Sequence, residues 1–294
     1  MNSAVIQLVN ATKKFKDHVV LDGLDFEIPQ GSVVGLLGKN GSGKTTLLKL
    51  LLGLLKLDAG TSKVYGEDSW DLSANAKARI GYVPQEIQLY DWMKVRQLLK
   101  YTAAFYPAWD SQLVQKLTDE WEVDLEKKAG LLSVGQKQKL AIILALGYQP
   151  DLLILDEPVA SLDPVARREF LRTILDIAQD ESRTILFSTH ITSDLERVAD
   201  RIAVMKEGQI ATYGNLDDLK DQIKRLRIVS SSDLPESFVV PGELRSEISG
   251  RQALVSVNNS DPQLVEQLQS TWDAQVTVED LSLEEIFLEM HHVK

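Results

Sequence analysis

The apolar positions of this chain fall into distinct patterns. AVIQLV at 4 to 9 and LDFEI at 24 to 28 read as strands, and in the second Leu24, Phe26 and Ile28 share one face. Together they predict an antiparallel edge layer. Four later runs differ: SVVGLLG (32 to 38), RIGYVPQ (79 to 85), DLLILDEP (151 to 158) and RTILFSTH (183 to 190) are apolar in their interiors and end in Gly, Gln, Asp-Glu or His. Strands covered by helices on both faces have this character, so the four runs predict the buried sheet of an α/β fold. In such folds ligands bind at the carboxyl ends of the strands, where the polar residues stand here.

Helical spacing fills the intervals. TLLKLLLGLLKL at 46 to 57 predicts a leucine-rich helix; it carries Lys49 and is too short to span a bilayer. Between about 86 and 150 the pattern predicts a helical insert, with Leu113, Leu117 and Trp121 at i, i+4 and i+8 after Pro107. The insert ends in LLSVGQKQKL, residues 131 to 140. Ser133 and Gln136 there have the spacing of a capping box, and Leu140, Ile143, Leu144 and Leu146 follow until Gly147 and Pro150. A helix start of small residues offers free N–H groups and the positive end of a dipole to an anion.

After about residue 220 the character changes. RLRIVSS and ALVSVNN predict short strands, a Pro-, Gly- and Ser-containing stretch runs from Ser230 to Gly250, and SLEEIFLEMHH opens on another capping box, Ser282 and Glu285. The organisation expected is a domain over 1–220 and a small α+β region over 221–294, joined by the charged helix NLDDLKDQIKR. In the last helix Leu283, Ile286, Phe287 and Met290 form an apolar stripe suited to packing.

Composition narrows the function classes. Among 294 residues, 32 basic against 43 acidic give a net charge of −11, which argues against nucleic acid as a partner. No cysteine occurs, so disulfides, a thiolate nucleophile and Cys-based metal sites are excluded, in keeping with a reducing cytosol. MNSAVIQLVN lacks the basic segment and apolar run of a signal peptide.

GKNGSGKTT, from Gly38 through Lys39, Asn40, Gly41, Ser42, Gly43, Lys44 and Thr45 to Thr46, matches G-x-x-x-x-G-K-[ST] between a buried strand and a helix. The glycines let backbone N–H groups wrap phosphates, Lys44 reaches the β and γ groups, and Thr45 offers its hydroxyl to Mg²⁺. DLLILDEP adds two carboxylates at a strand mouth. In that setting Asp156 is the candidate Mg²⁺ ligand and Glu157 the candidate base for an attacking water. His190 can donate to the γ-phosphate or serve the fold alone; Gln85 can reach Mg²⁺ and the water or simply end its strand.

Six motifs in one order, GKNGSGKT, YVPQ, LSVGQ, LLILDEP, SLD and STH, resemble the nucleotide-binding cassette of ABC transporters over roughly residues 1–220. The resemblance implies a mixed sheet with an antiparallel edge layer and a helical insert, and an ATPase using ATP and Mg²⁺. By it, Phe15 stacks on adenine, Gln85 couples the site to a membrane subunit, Asp163 contacts the opposite cassette and His190 is the switch histidine. It also supplies the anion for the helix at Ser133. Two cassettes pack head to tail, so Ser133, Gly135 and Gln136 close over the γ-phosphate held by the other's loop. Two departures stand out: Val134 replaces the glycine of LSGGQ, where a positive φ would strain a β-branched residue, and PVASLD replaces PTSGLD.

With one P-loop per chain and no long coiled coil, the resemblance points to the ATPase subunit of a transporter with separate membrane subunits, on the cytoplasmic face of the cell membrane. FYPAWD, ILFSTHITSDLERVADRI and LSLEEIFLEM are similar to ATPase subunits of bacterial exporters of antibiotics, peptides and related compounds. Two other readings stay open, a soluble regulatory ATPase and a non-hydrolysing partner in a heterodimeric pair.

Overall fold

A computed structural model describes residues 4–291 apart from 161, 181 and 236, with side chains from 4 to 289. The chain divides between Tyr213 and Gly214 into two compact units.

In the first unit, β1 (Ala4–Phe15) and β2 (His18–Pro29) form a long antiparallel ribbon. It outruns the two strands expected from alternation because the register shifts between Leu8 and Ala11, where Asn10 takes a φ of 51°. Beyond that irregularity the faces exchange and the simple alternation is lost. β4 (Ala59–Val64) pairs with the other edge of β1, and β5 (Glu67–Asp68) pairs with β4.

The second sheet contains the four apolar runs. β3 (Val33–Gly38), β6 (Ile80–Val83), β7 (Leu152–Asp156) and β8 (Thr184–Thr189) join β9 (Arg201–Lys206) and β10 (Gln209–Asn215) in the order β10-β9-β3-β8-β7-β6. Pairings from β9 across to β6 are parallel. Every residue of β3, β7 and β8 is buried, which accounts for their lack of alternation.

Helix α1 (Lys44–Leu51) fills the space between the two sheets. Its Leu47, Leu48, Leu50 and Leu51 pack with Ile6, Leu8, Leu24 and Phe26 of the ribbon and with Leu36, Ile154 and Leu186 of the parallel sheet. Burying such a side chain contributes about 2 kcal/mol. The helix beginning at Lys44 is thereby fixed from both sides.

After α2 (Ala74–Ala78), the insert between β6 and β7 consists of α3 (Val95–Ala103), α4 (Ser111–Glu120) and α5 (Val134–Leu146). Tyr106 stacks on Tyr148 at 3.8 Å, and the Trp109 ring lies so close to Gly147 that an added Cβ would sit 2.6 Å from it. These contacts tie the insert to the end of α5. Farther along, α6 (Pro164–Ala178) and α7 (Thr192–Val198) are joined by Arg167, whose guanidinium binds both oxygens of the buried Asp194 at 2.8 and 2.9 Å.

In the second unit, α8 (Leu216–Gln222) leads directly into β11 (Ile223–Ser230). The helix expected to run on through IKR stops at Gln222 because a strand follows, in which Leu226, Ile228 and Ser230 alternate into the core. β11, β12 (Glu243–Ser249), β13 (Gln252–Asn258) and β14 (Ala274–Asp280) form an antiparallel sheet ordered β12-β13-β11-β14. Helix α9 (Pro262–Trp272) covers one face through Leu264 and Leu268, which pack with Leu226, Ile228, Val255 and Val257. In α10 (Leu283–His291), Leu283 and Ile286 are buried. The side chain of Met290, assigned to the same stripe, lies outside the described ones.

Arg225 holds α10 by ion pairs to Glu285 and Glu289, each at 3.0 Å. Glu285 is kept below the usual glutamate range by the Ser282 backbone N–H, then by the Ser282 hydroxyl and Arg225. A carboxylate whose value is lowered on folding stabilises the fold above its unfolded value, and that contribution is lost as pH falls through the lowered one. As pH falls below the usual glutamate range the amides of α10 should therefore lose protection from hydrogen exchange ahead of those of β11. Glu285→Gln should abolish the pH dependence of that difference; an unchanged acid profile would exclude Glu285 as its source.

Candidate active site

The carboxyl ends of β3, β7 and β8 lie side by side, because Leu37 registers with Thr189 and Asp156 with Ser188. From β3 the chain turns through the glycine loop into α1. Gly41 and Gly43 take φ of 81° and 106°, and at Gly43 a Cβ would also meet Met205, Leu21 and the Val20 carbonyl at 2.9 to 3.0 Å. Both conditions favour glycine, which makes the loop's curvature a property of its sequence.

A cavity of about 410 Å³ opens over this turn, lined by His18, Val20, Asn40, Gly41, Gly43, Lys44, Thr45, Thr46, Gln85 and Glu157. Lys44 is buried at its floor. Its Nζ donates to the Gly38 carbonyl at 2.7 Å and lies 3.9 Å from Glu157 Oε1. Burial pushes the lysine below its ordinary value, while Glu157 and Asp156 pull the other way. Glu157 Oε2 is 2.9 Å from His190 Nδ1, so an ionised Glu157 requires the imidazole proton on Nδ1. Glu157 thus stands between Lys44 and His190.

Glu157 adopts φ of 50°, a left-handed conformation that costs a non-glycine residue free energy. Two acceptors on β8 hold its N–H there, Ser188 Oγ at 3.0 Å and the Ser188 carbonyl at 3.1 Å. Asp156 is fully buried, with Oδ1 accepting from Ser188 Oγ at 2.7 Å and Oδ2 without a partner among the described residues. Ser42 Oγ in the loop is also buried and has none among them.

The remaining expected residues lie elsewhere. Phe15 ends β1, half exposed, with Lys13 Nζ 5.4 Å above its ring; it does not line the cavity, although its cross-strand neighbour His18 does. Lys39 and Gly38 also fall outside the lining and enter through their carbonyls, which accept from Lys44. Ser133 caps α5: its Oγ accepts from Gln136 N at 3.2 Å and Gln136 Oε1 accepts from Ser133 N at 3.1 Å. Gly135 follows in the first turn. Val134 is the first residue of α5 and is absent from the positive-φ positions, so the strain anticipated for it does not arise; its side chain is 67% exposed. Asp163 caps α6 by accepting from Val165 N and Ala166 N, and these bonds, led by Ala166, hold it below the usual carboxylate range. Within one chain neither cap reaches the P-loop cavity.

His18 and Val20 are the site residues that motif reading passed over, and Ser188, inside the STH motif, was given no role by it. For the first two no motif exists, since they arrive because their strand passes against the glycine loop. Ser188 carried a faint signal, a hydroxyl in the otherwise apolar run ILFS.

Comparison with known proteins agrees with this geometry. The ABC transporter family model matches residues 21–160. An uncharacterised ABC transporter ATP-binding protein of Bacillus subtilis is 35% identical over 74% of this chain and 73% of its own length. The Nod factor export ATP-binding protein I of Burkholderia lata is 34% identical over 99% of this chain and 98% of itself, and the bacitracin transport ATP-binding protein of Bacillus licheniformis is 30% identical over 81% and 78%. Among solved structures, the ATP-binding subunit of an ABC transporter superposes with a TM-score of 0.67 at 27% identity, covering 74% of this chain and 92% of that one. A bacterial Atm1-family ABC exporter with ATP bound gives 0.65 at 26% identity, covering 75% and 40%. The chain therefore belongs to the ABC transporter ATP-binding proteins.

Proposed function

We propose that this protein binds and hydrolyses ATP to drive transport, as export of an antibiotic, peptide or related compound, through separate membrane subunits. The observation that carries the reading is the meeting of Lys44, Glu157, His190 and Gln85 around one loop-walled cavity. Relatives named for bacitracin transport and Nod factor export support the transport direction and class.

The residues fit a nucleotide with a divalent cation. A buried ammonium, together with an Asp156 oxygen and a Ser42 hydroxyl that have no partner among the described residues, accompanies a loop in which Gly41 has open space beside it. Unpaired buried polar groups are costly, and an anion with its counter-ion would satisfy both. Thr45, Gln85 and Asp156 would hold Mg²⁺, which when bound neutralises phosphate charge and orients the phosphoryl group. Lys44 would bind the β and γ phosphates, releasing Glu157 to take the proton of the attacking water, with His190 fixing that carboxylate. Phe15, on the hairpin that brings His18 to the cavity, would meet the base.

Ser133, Gly135, Gln136 and Asp163 have their own role in this reading. The exposed start of α5, whose Ser133 cap is neutral, suits a phosphate from a second cassette and Asp163 a contact with that cassette, so the working form would be a dimer with composite sites. We assign residues 1–220 to the nucleotide-binding domain and 221–294 to an accessory domain.

The membrane partner is supported by a patch just after Gln85. Tyr90, Trp92, Tyr101 and Phe105 are all exposed and linked ring to ring at 5.1 to 6.2 Å. Exposed contiguous aromatics mark an interaction surface. No helix among the described residues is long and apolar enough to cross a membrane, so attachment to the inner face would be made through such a contact.

Two outcomes test the reading. Lys44→Ala removes charge-assisted contacts worth about 3 kcal/mol, so ATP affinity should fall roughly a hundredfold and turnover should vanish. Fluorescent-nucleotide titration and phosphate release measure both; wild-type hydrolysis would remove the loop from the chemistry. Trp92→Glu should leave the ATPase of the isolated chain within about twofold while abolishing co-fractionation with membranes from cells making the membrane subunits. Retained co-fractionation would dismiss the aromatic patch as the docking surface.

A further inference from the structure

We propose that Ser188 is a positioning residue that sets both acidic residues of the site, fixing the orientation in which the Asp156 carboxylate is offered to the cation and holding Glu157 in its strained backbone. The proposal rests on the reading of the cavity as a Mg-ATP site.

The geometry follows from strand register. Asp156 ends β7 and Ser188 lies on β8 as its parallel partner. Neighbours in register project to the same face of a sheet, so the serine hydroxyl is brought to the carboxylate by the fold itself. Ser188 is fully buried, and water does not compete for its hydroxyl. A hydroxyl has one proton to give. Here it goes to Asp156 Oδ1 at 2.7 Å, while a lone pair accepts the Glu157 N–H at 3.0 Å.

The first bond acts on Asp156. With Oδ1 tied, the carboxylate cannot turn about its Cβ–Cγ bond without losing its only hydrogen bond among the described residues. Oδ2 is left as the oxygen free to meet a cation, directly or through water. This is the part that outer partners play at metal sites, orienting a ligand whose position would otherwise be averaged over rotamers. The second bond acts on the backbone. Glu157 has φ of 50° and no glycine to make that conformation easy, so acceptors on β8 must hold it. An alanine at 188 keeps the carbonyl acceptor and loses the hydroxyl. Asp156 would then be unanchored and Glu157 less well held.

The test uses the full chain as wild type, Ser188→Ala and Ser188→Thr, with a fluorescent ATP analogue as probe. Nucleotide affinity is measured in EDTA and then across a Mg²⁺ titration, followed by steady-state hydrolysis. Ser188→Ala should bind the probe in EDTA as the wild type does, need about tenfold more Mg²⁺ for half-maximal enhancement, and lose about tenfold or more in kcat with KM little changed. Ser188→Thr, which keeps the hydroxyl, should recover most of both. If alanine at this buried position yields no folded protein, Ser188→Cys keeps the size with a weaker donor and should shift the Mg²⁺ dependence in the same direction. A serine that merely packs would lower thermal stability without moving that dependence. Wild-type Mg²⁺ dependence and kcat in Ser188→Ala would overturn the proposal alone, whereas a wild-type chain showing no Mg²⁺-dependent binding would overturn the reading of the cavity and this proposal with it.

Discussion

Lys44, Asp156 and Glu157 place an ammonium and two carboxylates below 10% exposure at the mouth of a parallel sheet. Charges so placed are tolerated only with partners nearby, and the surrounding backbone is arranged to supply them. The Gly38 carbonyl and Glu157 serve the ammonium, and the Ser188 hydroxyl serves Asp156. Each partnership depends on a special feature of the chain: left-handed turns at Gly41 and Gly43, a left-handed Glu157, and a hydroxyl near the carboxyl end of a buried strand. The leucines of α1 then hold the lysine in place, since the helix it begins is packed between two sheets. Stability and chemistry meet here, because the helix whose leucines complete the core also delivers the charge at Lys44.

A second economy lies in the helix starts. α4, α6 and α9 open on Asp caps that satisfy their own N–H groups, as Asp110, Asp163 and Asp261 show. α5 opens instead on Ser133, with a neutral capping box and exposed Leu131 and Val134 beside it. A neutral cap leaves the positive end of the helix dipole uncompensated, whereas an aspartate would oppose an incoming anion. This contrast gives the α5 start its interest as a place where phosphate from another chain would be received.

How much of this could be read from the sequence follows from what each residue answers to. The glycine loop was legible because turn geometry and chemistry dictate the same residues at Gly43, Lys44 and Thr45. The buried strands were legible because full burial leaves only apolar side chains, and the Ser133 to Gln136 box because capping is local. β12 was not, since an edge strand such as ELRSEIS mixes charges with apolar residues and lacks a clear period, and β14 went unread although Ala274, Val276 and Val278 alternate in AQVTVED. Nor were His18 and Val20, which reach the cavity because their strand passes against the glycine loop, with the Val20 carbonyl 3.0 Å from where a Cβ at Gly43 would sit, a tertiary contact without a local signature. Ser188 lay between these cases: its polarity was visible, but its partner 32 residues away was not.

The account turns on a site completed by a second chain, and the most direct measurement is the mass of the protein in solution. Glu157→Gln keeps the shape around the cavity but cannot accept the proton, so bound ATP persists, and a ligand that binds only the associated state stabilises it by mass action. Light scattering should report a dimer for this variant with Mg-ATP and a monomer without nucleotide, and adding Ser133→Arg should return the monomer in both. A Glu157→Gln chain that stays monomeric while saturated with ATP, or a dimer indifferent to Ser133→Arg, would contradict the assignment of the α5 start as the phosphate clamp acting in trans.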